Sequence, residues 1–181
     1  MKNVKSLTRK FLNLTLAAMI GVSFLSCNPN NPQPNPQSVT LQWTATIGGQ
    51  TYSWQGSYPD NHGTTGDATT AINQSDGTLN IVLVNQTGPK SLSIKLPNAN
   101  IGSSVISGGS LSNPNALAVT FSSGQSVTHS TLVGGQVTVN LTEYATSVYG
   151  SVKGNFSGTI GVFPGGGTVP ISGSFQAVRY N

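Results

Sequence analysis

From Val39 onward, apolar and polar residues alternate with a period of two, and no stretch carries the 3.6-residue period of a helix. Such runs put one apolar and one polar face on each extended segment. The runs are 39–47 and 50–55 around Gly48-Gly49, then 68–75 and 78–85 around Asp76-Gly77. They continue with 90–96, with 116–121 after Asn113-Pro114, and with 126–133 and 136–142 around Gly134-Gly135. The last pair, 151–162 and 169–180, flanks the Gly165-Gly166-Gly167 tip. Two-residue glycine loops between alternating runs are strong hairpin signals. The pattern predicts about nine or ten short strands in an all-β, antiparallel β-sandwich of immunoglobulin-like or jelly-roll-like character. A β-barrel is the alternative.

The N-terminus has a different character. Lys2, Lys5, Arg9 and Lys10 precede an apolar run from Leu14 to Leu25, which ends at Ser26-Cys27. At about 12 residues this run is shorter than the roughly 20 needed to span a bilayer. Basic, apolar and small-residue regions in this order form a secretory signal. Ending at a cysteine, Phe24-Leu25-Ser26-Cys27 resembles the signal of bacterial lipoproteins. That resemblance implies cleavage of residues 1–26, lipidation of Cys27 with diacylglyceryl and palmitate-type chains, and anchoring to the cell envelope, most simply the outer membrane. Whether the protein faces the periplasm or the cell surface stays open. The alternative is an ordinary secretory signal that happens to hold a cysteine. Residues 28–37 alternate Pro with Asn and Gln, so 27–38 reads as a lipidated cysteine followed by an extended tether. At about 3 Å per residue the tether reaches roughly 30 Å. One domain, 39–181, remains.

Four of the eight basic residues belong to the signal. The mature chain keeps Lys90, Lys95, Lys153 and Arg179 against Asp60, Asp67, Asp76 and Glu143, and its formal charge is zero. A basic patch for nucleic acid is therefore absent from the mature sequence. Cys27 is the only cysteine, so packing and sheet hydrogen bonds must hold the domain without disulfides. Ser, Thr, Asn and Gln supply most of the polar surface.

Candidate sites are few. A two-residue Gly48-Gly49 loop pairs Ile47 with Gln50, Ala45 with Tyr52 and Trp43 with Trp54. Trp43, Tyr52 and Trp54 then share a face, and a flat aromatic strip can stack sugar rings. The competing reading makes that face core, because Leu41, Ala45 and Ile47 lie on it too. Tyr58, placed in the loop after this hairpin, is the better candidate for an exposed ring. Asp60, Asn61 and Asp67 could supply oxygen ligands to a calcium-like ion. Asp and Asn are equally turn residues, however, and the spacing matches no metal motif. For hydrolysis, Asp76 is claimed by its turn and Glu143 ends a strand. His129 has no Gly-x-Ser-x-Gly elbow to serve. The expectation is a non-enzymatic protein without a cofactor.

Three segments carry a further resemblance. They are Thr46-Ile47-Gly48-Gly49-Gln50-Thr51-Tyr52, residues 150–159, and Val169-Pro170-Ile171-Ser172-Gly173-Ser174-Phe175 with Arg179. Together these resemble small uncharacterised all-β lipoproteins of Bacteroidota. The family brings no catalytic residues. The expected role is that of a lipid-anchored binding module for a neutral ligand such as a glycan, or for an envelope protein. The alternatives are a structural or assembly subunit that pairs through a sheet edge, and, further off, a hydrolase using His129 or Asp60.

Overall fold

The computed structural model describes residues 38–58, 70–85, 90–109, 116–124 and 126–180, all within the compact unit Pro36–Asn181. Cys27, the tether, and the loop holding Asp60, Asn61 and Asp67 lie outside the described residues. The fold is all-β, with ten strands among the described residues. They are β1 (Val39–Ile47), β2 (Gln50–Tyr58), β3 (Thr70–Asn73), β4 (Leu79–Asn85) and β5 (Lys90–Leu96). Then come β6 (Gly102–Ser107), β7 (Val119–Ser123), β8 (Ser126–Tyr144), β9 (Ser151–Val162) and β10 (Thr168–Arg179). Every pairing is antiparallel except a short parallel contact of β10 with β3.

Two strands serve two groups of partners. β10 pairs along one edge with β9, and along the other first with β1 and then, at Val178 and Arg179, with β3. Along one edge β8 pairs first with β7 and then with β6, and along the other it pairs with β9 on both sides of residues 131–134. All ten strands thus belong to one hydrogen-bonded sheet, which folds over so that β2-β1-β10-β9-β8-β6 run side by side in one layer and β3-β4-β5-β7, with the start of β8, in the other. Strands that switch sheets form the corners of a sandwich-like fold. The layers share one apolar core. The indole N–H of Trp43 donates to the Val84 carbonyl at 3.0 Å, which ties β1 to β4. Tyr52 on β2 meets Phe121 on β7 at 4.8 Å between ring centroids.

The first hairpin has the predicted register, Trp43 opposite Trp54 and Ala45 opposite Tyr52. Gly48 and Gly49 both take positive φ, 57° and 86°, as a primed two-residue turn requires. The second glycine pair does not form a hairpin. Gly134-Gly135 lies inside the continuous strand β8. Ser130 pairs with Gly161 and Gly135 with the adjacent Ile160, so residues 131–134 bulge out with no partners on β9. A bulge of this kind bends its strand and turns the corner between layers. Hydroxyls at the bulge bond to backbone on both strands. Thr131 Oγ1 accepts the Val119 N–H at 3.1 Å, and Ser130 Oγ accepts the Leu132 N–H at 3.1 Å. The sequence reading also missed β6 altogether and ended β2 three residues early.

Candidate functional site

Extending β2 to Tyr58 changes that residue's role. Tyr58 pairs with Val39 and is only 7% exposed, so it is not the exposed loop ring expected from the sequence. Leu41 and Val178 pack under it, with Val39 and Trp54 beside them. Its ring stacks on Tyr149, with centroids 5.1 Å apart and planes 14° apart, and the two side chains share a hydrogen bond. Tyr149 in turn meets Tyr180 edge-on, at 6.2 Å and 81°. Tyr149 and Tyr180 each keep 43% of their surface, and Val148 keeps 45%. Three tyrosines from β2, the β8–β9 loop and the end of β10 thus make one aromatic cluster with two rings open to solvent.

The backbone is arranged to hold it. Tyr149 has φ 66°, a left-handed conformation that non-glycine residues rarely adopt and that costs about 1–2 kcal/mol. Its N–H donates to the Arg179 carbonyl at 2.7 Å, and the Arg179 N–H returns a bond to the Gly150 carbonyl at 2.8 Å. The Arg179 guanidinium donates to the carbonyls of Ala145 and Thr146 and lies over the Tyr144 ring. Loop 145–150 is therefore pinned to the end of β10. Backbone strain held in place by surrounding bonds is a recurrent property of binding sites. Burial raises the phenol of Tyr58 above its ordinary value of 10.0, and the neighbouring Tyr149 and Tyr180 add to the shift. The Tyr58 hydroxyl therefore gives up its proton later than an ordinary phenol.

No family model, curated protein or solved structure matches this chain. The site is therefore read from its geometry.

The strip of aromatics on the first hairpin does form, but facing inward. Trp43 is 1% exposed and belongs to the core, so it offers no face to a ligand. Trp54 and Tyr52 are half-buried against the same core. Tyr52 is flanked as well: Lys90 Nζ sits 4.4 Å from its ring centroid, and its hydroxyl donates to Gln50 at 2.7 Å. The interior reading of this face is correct because β4, β5 and β7 pack across it.

The titratable groups have structural partners. Asp76 Oδ1 accepts the backbone N–H and the hydroxyl of Thr78, at 2.9 and 2.6 Å. These bonds, with Lys95 as a weaker contributor, hold its carboxyl below the ordinary range. Glu143 pairs with Lys153 at 2.8 Å. His129 is half-buried, with Nδ1 3.0 Å from Thr128 Oγ1 and its ring 6.0 Å from Phe121, and burial lowers its pKa. Among the described residues, no group of three His, Cys, Asp or Glu side chains is placed to hold a metal ion. No helix among them is long and apolar enough to cross a membrane. Sequence reasoning missed Tyr149 and Tyr180. The available signal was Val148-Tyr149, an apolar pair set in a turn-rich segment outside any alternating run.

Proposed function

We propose that this is a lipid-anchored envelope protein, tethered through Cys27, which binds a neutral glycan without transforming it. The observation that carries the reading is the Tyr58–Tyr149–Tyr180 cluster, with two half-open rings on a strained, pinned loop. Tyrosine rings combine an apolar face with a hydroxyl, which suits a pyranose that is apolar on its faces and polar on its rim. A neutral mature chain favours a neutral ligand. Isothermal titration of the full chain in mild detergent against soluble neutral oligosaccharides tests this. Saturable binding is expected, weakened at least tenfold in Tyr149→Ala and in Tyr180→Ala proteins with unchanged circular dichroism. No binding across the panel, or equal binding by both variants, refutes it.

A second reading, assembly through a sheet edge, is favoured by one observation. Among the described residues β6 is an outer strand that pairs only with β8, and Val105 on it and Ile101 just before it are 57% and 66% exposed. Exposed apolar edge strands invite pairing. A protein that stays monomeric at millimolar concentration, with no partner in envelope crosslinking, removes this reading.

A further inference from the structure

The outward face of the six-stranded layer carries hydroxyls and amides in registered rows. One row crosses every strand from β6 to β2 as Ser103, Asn140, Asn155, Ser174, Thr44 and Ser53. The next row, two residues along, is Val105, Thr138, Ser157, Ser172, Thr46 and Thr51. Neither row contains a charge. The nearest ion pair, Lys153–Glu143, sits at the border, in the adjoining row. Asn155, Ser157, Ser172, Ser174 and Thr44 are all exposed. Where neighbours in a row interact, they do so with one another, as Thr46 with Thr51 at 3.0 Å and Ser103 with Asn140 at 3.3 Å.

The geometry of a sheet makes this a grid. Rows repeat at about 6.7 Å along the strands and columns at about 4.8 Å across them, so six strands span roughly 24 Å. Every position of the two rows except the outermost, Val105, offers donors and acceptors together. The chemistry of the face restricts its occupant. An apolar surface would leave these groups buried and unpaired, at a cost of about 1–3 kcal/mol each. An anionic polymer would meet no counter-charge within the rows. A protein partner would normally be held by Tyr, Trp, Phe, Met or Arg anchors, and the rows hold none. What fits is a neutral polyol.

Each single hydrogen bond gained here exchanges with water and nets only about 1 kcal/mol. Affinity must come from many contacts made at once by a ligand as regular as the sheet. We propose that this face binds the surface of an ordered, neutral, hydroxyl-rich polysaccharide, in which several chains lie side by side, rather than one chain in solution. The inference shares a ligand class with the tyrosine cluster but uses a different surface and does not depend on it.

The test is depletion of the full chain, in mild detergent, onto suspensions of microcrystalline cellulose, insoluble β-1,3-glucan and insoluble α-1,3-glucan. Saturable depletion is expected on at least one solid, unchanged between 50 mM and 1 M NaCl and not competed by millimolar monosaccharide. The Asn155→Glu/Ser172→Glu protein, altered only at exposed positions, should bind at least tenfold less with an unchanged urea midpoint. The milder Ser172→Ala/Ser174→Ala protein should lose a few-fold, and Tyr149→Ala should bind like the parent. Depletion by no solid overturns the proposal, as does depletion equal in the double-glutamate protein or abolished by Tyr149→Ala alone. Self-association without polysaccharide that disappears in the double-glutamate protein also overturns it, by assigning the face to a second copy of the chain.

Discussion

Gly173→Ala should be among the most damaging single-methyl changes in this domain. β9 and β10 pair so that Gly173 faces Phe156 and Gly154 faces Phe175. Each ring lies over the glycine opposite it, a reciprocal exchange in which an aromatic covers the backbone its partner leaves bare. A Cβ on Gly173 would overlap both the Phe156 Cζ and the Thr44 carbonyl oxygen, and would come 3.0 Å from the Ala45 Cα. The ring can swing aside, but the carbonyl belongs to the β1–β10 ladder and can move only with that pairing. Overpacking costs about 1–3 kcal/mol, and a backbone obstacle places this case near ~3 kcal/mol. With a urea m-value of about 2 kcal/mol/M, the midpoint should fall by roughly 1.5 M. Gly154→Ala, whose Cβ meets Phe175 Cζ at 2.6 Å and the Asn140 carbonyl at 2.8 Å, should lose about 2 kcal/mol. Gly49→Ala is the control. Its φ of 86° is strained for alanine but nothing lies within 4 Å, so about 1 kcal/mol is expected. Combining Gly173→Ala with Phe156→Ala should show a favourable coupling of about 1 kcal/mol, because the ring overlap disappears while the carbonyl overlap stays. A loss below ~1 kcal/mol for Gly173→Ala, or one no larger than that of Gly49→Ala, would refute the close-approach argument.

Acrylamide should quench the two tryptophans unequally: a Trp54→Phe protein retains only the buried Trp43 and should be nearly unquenched, whereas equal quenching of both single-tryptophan proteins would contradict the packing. In Trp43→Phe, loss of the bond to Val84 and of core volume should reduce stability by about 2–4 kcal/mol in urea titration. Because the folded pKa of Tyr58 is raised, its contribution to stability is complete below pH 10 and is lost as pH rises through the shifted value. Absorbance titration at 295 nm should therefore show one tyrosine ionising late, and a Tyr58→Phe protein should lack that step. His129 shifts the opposite way: its folded pKa lies below 6.5, so its contribution is complete above that pH and is lost as pH falls through the folded value. A His129→Gln protein should show a flatter dependence of thermal midpoint on pH between 7 and 5, and an unchanged slope would count against burial as the cause.

The difference between the two glycine pairs shows how far local pattern reaches. Gly48-Gly49 and Gly134-Gly135 look alike, each set between alternating runs. The first joins strands that pair with each other, so the local signal suffices. The second sits where β8 leaves β7 for β6 while pairing with β9 on both sides, and only those distant partners make it a bulge. β6 escaped notice because Gly102–Ser107 buries little besides Ile106, which leaves an outer strand with almost no alternation to read.

By itself the sequence determined the all-β class, the register of the first hairpin, and the balance of four basic and four acidic residues from Val39 onward. These follow from side-chain period, turn chemistry and composition, which are properties of short segments. The tertiary structure alone decided that Trp43 is core, that Tyr58 meets Tyr149 and Tyr180, and that hydroxyls from six strands line up in rows. Each of these brings together residues far apart in the chain, through strand pairings that no short segment encodes. Cross-strand neighbours are fixed only when the whole sheet takes its order, and both candidate surfaces are made of such neighbours.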